Sequence, residues 1–327
     1  MYEIVTFGEA MIRLSPPDFK RIEQATSFDV IVGGGELNTA VACARLGKTS
    51  AWVSKLPTTA TGRLVRNRVR EQGVGTDFIV WSKEGRAGIY YVEFGAAPRA
   101  SSVLYDRAGS SISMIKPREV DWNSAFEGTK VFHVSGITPA LSKSAAEVTF
   151  EAIRAAKRKG ALVSYDLNYR AKLWSEEEAQ KCQEPMMEFV DILISTEEDT
   201  NRVFKITAPT YQEVAQKLAE RFKFKVVAIT LRETPSVWKN NWTAIACADG
   251  KIYSDKTYEV EIVDRIGSGD CFTAGFLCGY LEQGVEYGVK LGNATAALKH
   301  SIPGDLFIGS RDEVETVMKK GGLRIAR

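Results

Sequence analysis

The sequence lacks an excess of charge of either sign. Its 43 Lys and Arg residues nearly balance its 41 Asp and Glu residues, which leaves a formal net charge of +2 over 327 residues. A long run of Lys and Arg is also missing. Nucleic acids and membrane surfaces attract basic faces. The sequence therefore argues against partners of either kind.

Cysteine pairs with the spacing of metal ligands and long apolar runs are missing too. The five cysteines are odd in number and scattered. They are Cys43, Cys182, Cys247, Cys271 and Cys278. This usage predicts reduced, mostly packed thiols in a cytoplasmic protein. Residues 2–8 follow a strand pattern without the basic and apolar regions of a signal peptide, and no apolar run approaches the length of a membrane span.

Strand and helix patterns alternate along most of the chain, whose 44% hydrophobic content allows a large core. The predicted strands are 2–8, 51–54, 130–135, 161–166, 192–195 and 225–230. The predicted helices are 37–46, 62–72, 143–159, 176–189 and 210–222. This order predicts an α/β fold with a mostly parallel sheet and helices on both of its faces. We expect one domain over residues 1–327, because no repeat or linker divides them.

One short segment, residues 264–270, has the composition of an anion site. It reads Asp-Arg-Ile-Gly-Ser-Gly-Asp and precedes an apolar helix pattern. Gly267 and Gly269 let backbone amides approach an anion, and the helix directs its positive end at the same point. Asp270 is best explained as the proton acceptor for a hydroxyl that attacks a phosphate. An ordinary helix cap through Ser268 or Asp270 explains the same residues, so the segment alone leaves both interpretations open.

Two stretches interrupt the alternation, at about 11–32 and 86–113. They lack helical periodicity and contain alternating strand-like patches, which predicts a small sheet inserted into the α/β core. Such a sheet can join subunits, and it can also close over a site and exclude water. We expect both roles, and hence a homo-oligomer that is formed through the inserted sheet.

A glycine run opens the first predicted helix. Gly33, Gly34 and Gly35 can bring backbone amides against a small polar ligand, although a flexible turn has the same composition. Asn38 at the helix start can serve a ligand or only its own backbone. The run therefore marks a candidate binding loop.

Polar residues elsewhere are expected at the open end of the sheet, where α/β folds bind ligands. Tyr90, Tyr105 and Arg107 lie on the inserted strands, where packing is the alternative role. Residues 166–170 directly follow a buried strand, with turn capping and surface exposure as the alternatives. Residues 230–233 follow another buried strand, and the polar loop predicted for 234–241 either borders a nucleotide base or connects elements at the surface.

These motifs resemble the signatures of the ribokinase-like, or PfkB, carbohydrate kinases. The resemblance rests on residues 33–38, 166–170 and above all 264–270, and it spans essentially the whole chain. It implies a sugar kinase with a central α/β sheet and a β-strand lid. It also implies that Asp270 is the catalytic base and that the amides of residues 267–269 form an anion hole for the phosphoryl group.

Within that family the chain most resembles the 2-keto-3-deoxygluconate kinases, through Gly34, Asn38, Tyr90, 105–107 and 168–170. A sugar acid carries a carboxylate, for which arginines 107 and 170 offer charge-assisted donors. A fructokinase, a ribokinase, another PfkB sugar kinase and a non-catalytic sugar-binding sensor are the alternatives. A nicotinamide-dependent oxidoreductase is disfavoured, because the glycine run lacks the Gly-Xaa-Gly-Xaa-Xaa-Gly spacing.

The resemblance implies ATP and Mg²⁺ as cofactors, and K⁺ near the anion hole as in some relatives. The residues that it assigns to ATP are Asn168, Arg170, Thr230, Arg232, Gly267, Ser268, Gly269 and Asn293. The residues that it assigns to the sugar acid are Gly34, Gly35, Asn38, Tyr90, Tyr105, Arg107, Arg170 and Asp270. Glu198 is assigned to magnesium through water, although Ser195 replaces the asparagine of the family's Asn-Xaa-Xaa-Glu. Because a free aspartate has a pKa of about 3.9, we expect Asp270 to be an ionised, weak base.

Overall fold

A computed structural model describes residues 1–320 of the chain. The strands are β1 (Ile4–Phe7), β2 (Met11–Ser15), β3 (Asp29–Gly33), β4 (Ser50–Pro57), β5 (Ile79–Ser82), β6 (Gly88–Glu93), β7 (Ser102–Asp106), β8 (Val131–Ser135), β9 (Leu162–Asp166), β10 (Ile192–Ser195), β11 (Val226–Ser236), β12 (Lys239–Ala248), β13 (Lys251–Ser254) and β14 (Tyr258–Glu261). The helices are α1 (Gly35–Arg45), α2 (Ala60–Glu71), α3 (Trp122–Ala125), α4 (Lys143–Arg158), α5 (Glu176–Gln183), α6 (Glu197–Phe204), α7 (Tyr211–Phe222), α8 (Ser268–Gln283), α9 (Val285–Lys299) and α10 (Arg311–Lys320).

The large sheet has the strand order β13-β12-β11-β10-β9-β8-β1-β4-β5, with β14 paired to β12. Neighbours from β11 to β5 run parallel, and β12 pairs antiparallel with β11, β13 and β14. Strands that are buried on both faces carry continuous apolar runs, as in residues 226–229 of β11. The predicted α/β class and mostly parallel sheet are therefore confirmed.

Separate hydrophobic cores cover the two faces of this sheet. Val227 and Ile229 pack in a core that includes residues of α4 and α7. Val226 and Ala228, which point to the opposite face, pack in a second core with α8 and α9. Because successive strand side chains alternate between faces, one apolar run serves both cores. Helices α1 and α8 also contact each other, which brings their first turns together.

The small sheet has the order β3-β2-β6-β7 and lies within the two stretches that interrupt the helical pattern. Strands β2 and β6 run parallel, and the outer pairs are antiparallel. Its outer strands expose apolar side chains, with Val30 51% and Leu104 57% exposed.

Within residues 1–320, no helix combines the length and the apolar character that crossing a membrane requires.

Two predicted elements differ from the structure. The helix predicted over 176–189 ends at Gln183 and continues as a 3-10 turn over Glu184–Phe189, because Pro185 has no N–H to donate to the preceding turn. The prediction of a loop over 234–241 was wrong. Strands β11 and β12 pair as a hairpin out to Ser236 and Lys239. Residues at this end of the hairpin are mostly exposed, so their polarity reflects solvent contact on both faces and not a loop.

Candidate active site

A cleft of about 380 Å³ lies between the carboxyl ends of the parallel strands and the small sheet. Most of the residues predicted to bind ligands line it. They are Gly34, Gly35, Asn38, Tyr90, Tyr105, Arg107, Asn168, Arg170, Thr230, Arg232, Gly267, Ser268, Gly269 and Asp270. Its size suits a small ligand. The fold thus brings residues from five distant segments to one place.

Residues 264–270, which we call the glycine turn, lead directly into α8. Gly267 has φ +86°, in the left-handed region that glycine tolerates, and a Cβ there would overlap the main-chain oxygen of Asp305. The Ser268 hydroxyl donates to the carbonyl of Arg265 at 2.9 Å, and no side chain of the described residues caps the first turn of α8. The structure therefore disfavours the simple helix cap. It leaves the amide end of α8 directed at the cleft.

Asp270 meets Asn38 at the centre of the cleft. Nδ2 of Asn38 donates to Oδ2 of Asp270 at 2.7 Å, while Oδ1 of Asn38 accepts from the amide of Gly34 at 3.2 Å. The second bond holds the asparagine so that its amide nitrogen faces the carboxylate. A Cβ on Gly35 would lie 3.5 Å from Oδ1 of Asp270, so the glycine keeps that oxygen uncovered. Asn38 thus serves both its own backbone and the site.

The environment of Asp270 changes its acidity. The pKa of this carboxyl is raised from 3.8 to about 7, and burial is the largest cause. The bond from Asn38 and the charge of Arg170 lower the pKa, whereas the charges of two other carboxylates, Glu36 and Asp305, raise it. The expectation of a weak, fully ionised base is therefore corrected. A carboxylate with a pKa near neutrality accepts a proton more readily than a free aspartate does.

Glu36 and Asp166 add to the negative charge around Asp270. Burial raises the pKa of Glu36, and the hydroxyls of Ser135 and Thr138 donate to its Oε1 at 2.7 and 2.8 Å. Burial raises the pKa of Asp166 well above its usual value, and the charges of Asp199 and Asp270 raise it too. Such strong perturbation of clustered carboxyl groups is typical of functional sites.

The small sheet contributes side chains that are already paired. The rings of Tyr90 and Tyr105 stack with centroids 5.9 Å apart, and the Tyr90 hydroxyl donates to the Asp305 carboxylate. Nε of Arg107 donates to Oε2 of Glu9 at 2.8 Å, and both side chains are largely buried. A ligand carboxylate at Arg107 would have to share the guanidinium with Glu9.

Three other arginines line the cleft without a salt-bridge partner among residues 1–320: Arg170, Arg232 and Arg265. Burial and the charge of Arg232 lower the pKa of Arg265. Within the part of the chain that the structure describes, Arg170 donates only to the carbonyl of Tyr169, at 3.1 Å. Three guanidinium groups without a salt bridge in the described chain, two of which repel each other, are suited to a ligand with several negative charges.

Two predicted residues do not line the cleft. The side chain of Glu198 is 64% exposed and pairs with Arg202 on the surface of α6. Its neighbour Asp199 lines the cleft, because adjacent residues of a helix point about 100° apart. Asn293 is fully buried in α9, and its Nδ2 lies 3.5 Å from Asp255. The structure therefore does not bring Glu198 or Asn293 to the ligand site.

Sequence reasoning missed several cleft residues: Glu9, Glu36, Asp199, Arg265 and Asp305. Glu9 closely follows the first strand and Asp199 the strand at 192–195, so the search for polar residues after strands could have found both. Arg265 lies within the quoted motif. Asp305 lies beyond the last predicted feature, and no local pattern marks it.

Comparisons with known proteins agree with this geometry. The sequence profile described as pfkB family carbohydrate kinase matches residues 1–307. A 2-dehydro-3-deoxygalactonokinase of Haloferax volcanii is 40% identical, with 99% of each chain covered. The crystal structure of a 2-dehydro-3-deoxygluconokinase from Thermotoga maritima superposes with a TM-score of 0.94 at 42% identity, covering 97% of this chain and 99% of the other. That of a PfkB family carbohydrate kinase from Listeria grayi has a TM-score of 0.92 at 33% identity, covering 96% and 99%.

The matched profile spans far more than half of the chain, and it includes the glycine run, the small sheet and the glycine turn. The two relatives at 40% and 42% identity extend over nearly the whole of both chains. The chain belongs to the pfkB family of carbohydrate kinases, and the protein is a sugar kinase, an enzyme that phosphorylates an alcohol group.

Proposed function

We propose that the protein transfers the γ-phosphoryl group of ATP to a primary hydroxyl of a 2-keto-3-deoxy sugar acid, with 2-keto-3-deoxygluconate as the leading substrate and 2-keto-3-deoxy-6-phosphogluconate as its product. One observation carries the proposal. Asp270, with a pKa of about 7, lies in the first turn of α8, whose amide end has no side-chain cap. The relatives at 40% and 42% identity, named for 2-dehydro-3-deoxy sugar acids, support the substrate class.

In this mechanism Asp270 accepts the proton of the sugar hydroxyl while the hydroxyl oxygen forms a bond to the γ-phosphorus. The bond from that phosphorus to the bridging oxygen of ADP breaks, and ADP leaves with the electron pair. Asn38 holds the carboxylate in place through its 2.7 Å bond. The amides of residues 267–269 stabilise the charge on the phosphoryl oxygens, and we assign most of the acceleration to this electrostatic effect and to alignment.

The cationic side of the cleft suits the triphosphate. Arg232 and Arg265 lie near enough for the charge of one to lower the pKa of the other, and neither has a carboxylate partner in the described chain. A bound polyphosphate relieves that repulsion. Thr230 and Asn168 line the same cleft. We therefore place the phosphates of ATP along these residues.

A carboxylate at the end of β9 and another in the first turn of α6 fit a magnesium ion. Asp166 and Asp199 both line the cleft, and the charge of Asp199 raises the pKa of Asp166. Within residues 1–320, no group of three or more His, Cys, Asp or Glu side chains forms a metal cage. Two carboxylates suit an ion that keeps much of its water and is held partly by substrate phosphates. When bound, Mg²⁺ supplies positive charge that offsets the charge of the phosphates.

For the sugar acid we favour Arg170 as the main carboxylate donor. Arg107 is already bonded to Glu9, whereas Arg170 bonds only to a carbonyl. Oε1 of Glu9 is buried and has no hydrogen-bond partner among residues 1–320, so it offers an acceptor for a sugar hydroxyl. We further propose that the small sheet closes over the sugar, because Tyr90 and Tyr105 extend from it into the cleft.

The test is an ADP-release assay with ATP and Mg²⁺ and four substrates: 2-keto-3-deoxygluconate, its galactonate epimer, fructose and ribose. The proposal predicts a kcat/KM for one of the two sugar acids at least about 100-fold above those for the neutral sugars, since an ionic contact that a neutral sugar cannot make contributes about 3 kcal/mol. A preference for fructose or ribose would refute the substrate class. Binding of a sugar without ADP release would favour the sensor over the kinase.

A further inference from the structure

Four charged side chains lie buried beneath the glycine turn. Arg13, Asp264, Lys299 and Asp305 are each no more than 2% exposed. Nη1 of Arg13 lies 2.8 Å from Oδ2 of Asp264 and 2.7 Å from Oδ1 of Asp305. The two cations balance the two carboxylates. Loss of either cation would therefore leave a net negative charge beneath an anion site.

This charge cluster contacts the glycine turn at two points. Oδ1 of Asp264, the first residue of the turn, accepts from the amide of Ile266 at 3.0 Å. The main-chain oxygen of Asp305 packs so closely against Gly267 that a Cβ would overlap it. The orientation of the turn amides therefore depends on how the cluster is held together.

Lys299, the last residue of α9, holds the two segments that carry these carboxylates. Its Nζ donates to the carbonyl of Asp264 at 3.3 Å and to the carbonyl of Ile302 at 3.0 Å. Burial lowers the pKa of Lys299, and the charges of Asp264 and Asp305 oppose that shift. Main-chain carbonyls are also the ligands by which proteins bind K⁺. The ammonium thus lies where a small monovalent cation would find its ligands.

We propose that Lys299 is a positioning residue whose ammonium group acts as a tethered cation beneath the glycine turn, so that the kinase needs no K⁺. The inference deepens the proposed kinase function and rests on it. It departs from the K⁺ implied by the resemblance to PfkB kinases, because the carbonyl of Asp264 already has a cationic partner. The ammonium orients the turn and supplies positive charge next to the phosphoryl group, without touching the substrate.

The test compares the wild type with two variants in chlorides of tetramethylammonium, Na⁺, K⁺ and NH₄⁺ at constant ionic strength. Lys299→Ala removes the charge and leaves space for a small cation. Lys299→Met removes the charge but fills most of the space. Lys290→Ala, which removes an exposed lysine of the same helix, controls for general salt effects.

For the wild type we expect ADP release to change less than about twofold among the four salts. For Lys299→Ala we expect kcat to fall at least about tenfold in tetramethylammonium, because the turn amides would be misoriented and the loss of even one such donor lowers kcat by that much or more. Replacing tetramethylammonium by K⁺ or NH₄⁺ should raise the kcat of this variant several-fold. Lys299→Met should lose activity and recover none of it in either salt. Lys290→Ala should behave as the wild type does.

A second readout does not depend on activity. In thermal unfolding we expect K⁺ to raise the Tm of Lys299→Ala relative to tetramethylammonium and to leave the Tm of the wild type unchanged. Strong activation or thermal stabilisation of the wild type by K⁺ would overturn the inference, and so would full activity of Lys299→Ala without a small cation. If the wild type phosphorylates no sugar, the proposed function fails, and the thermal shifts still decide the cation question. If Lys299→Ala does not fold, the wild-type measurements and Lys299→Met decide it.

Discussion

Nδ2 of Asn38 donates a 2.7 Å hydrogen bond to Oδ2 of Asp270, although the two residues are 232 positions apart in the chain. The bond joins the first turn of α1 to the first turn of α8, the two helix starts that face the cleft. It favours the ionised form of a carboxyl that burial pushes toward the protonated form. The acidity of Asp270 is thus set by two opposing effects, and several predictions depend on their balance.

Asp270→Asn should remove turnover while leaving nucleotide binding intact. Loss of a general base lowers kcat by about 10² to 10⁴-fold, and the amide keeps the size of the side chain. The variant should also unfold at a higher temperature at neutral and alkaline pH, because it no longer buries a carboxylate whose pKa is raised to about 7. ADP-release kinetics, calorimetric ATP titration and thermal unfolding measure the three effects. Near-normal turnover would remove Asp270 from the mechanism.

The pH dependence follows from the same raised pKa. Asp270 must be ionised to accept a proton, so kcat/KM should fall as the pH drops through about 7. The free energy of unfolding should change in the opposite direction, so that Asp270 stabilises the fold more at low pH than at high pH. The contribution of the protonated carboxyl is fully present below the unfolded pKa of about 3.9 and is lost as the pH rises through the folded pKa.

Asn38→Ala should move the acidic limb of the kcat/KM profile to higher pH, because the asparagine lowers the pKa of Asp270. Asn201→Ala, at an exposed position of α6, is the control and should leave the profile in place. A profile that stays unchanged in Asn38→Ala would mean that the limb reports another group.

Gly267 and Gly269 differ in what a methyl group would meet. Gly267→Ala should lower the free energy of unfolding by more than about 1 kcal/mol, since φ is +86° and the Cβ would overlap the carbonyl of Asp305. Gly269→Ala meets nothing within 4 Å, so it should keep or slightly raise stability and yet lower kcat by covering the amide end of α8. Denaturant unfolding and ADP-release kinetics separate the two effects. Equal stability of both variants would contradict the structure.

Arg107 and Arg170 should respond differently to removal. Arg107→Ala leaves the buried carboxylate of Glu9 unpaired and should cost about 3 kcal/mol of stability. The double variant Arg107→Met with Glu9→Gln should recover much of that loss. Arg170→Ala should leave stability nearly unchanged and raise KM for the sugar acid at least about tenfold. Arg170→Lys, which keeps the charge, should raise it less. An unaltered KM in Arg170→Ala would place the substrate carboxylate elsewhere.

The exposed apolar face of the small sheet tests the proposed oligomer. Leu104 is 57% exposed on β7, and Val30 is 51% exposed on β3. If this face joins subunits, Leu104→Arg should convert the oligomer to monomers in analytical ultracentrifugation, because the charge would be buried at the interface. Ile308→Arg, at a site that is 46% exposed outside the small sheet, should leave the oligomer intact. A wild-type monomer would refute the proposal directly.

Much of the architecture could be predicted from local patterns. The apolar runs at 192–194 and 226–229 lie in β10 and at the start of β11, because strands that are buried on both faces carry continuous apolar runs. The location of 166–170 in the cleft followed from the rule that α/β folds bind ligands at the carboxyl ends of parallel strands, since β9 ends there. That rule does not explain the location of 33–38 and 264–270, because these segments follow the antiparallel strands β3 and β14. The hairpin at 226–248 could not be predicted, since its polar residues are stabilised by cross-strand pairing and not by their own pattern.

Local patterns were enough to predict the fold class, the inserted sheet and the glycine turn, because periodicity and the left-handed conformation of Gly267 are local properties of the backbone. Tertiary contacts set the pKa of Asp270 near 7, the pairing of Arg107 with Glu9 and the location of Lys299 beneath the turn. These properties arise from charges and burial contributed by segments that are distant in the chain. Asp305 shows the difference most clearly: nothing around it in the sequence marks it, yet it bonds to Tyr90 and Arg13 and packs against Gly267.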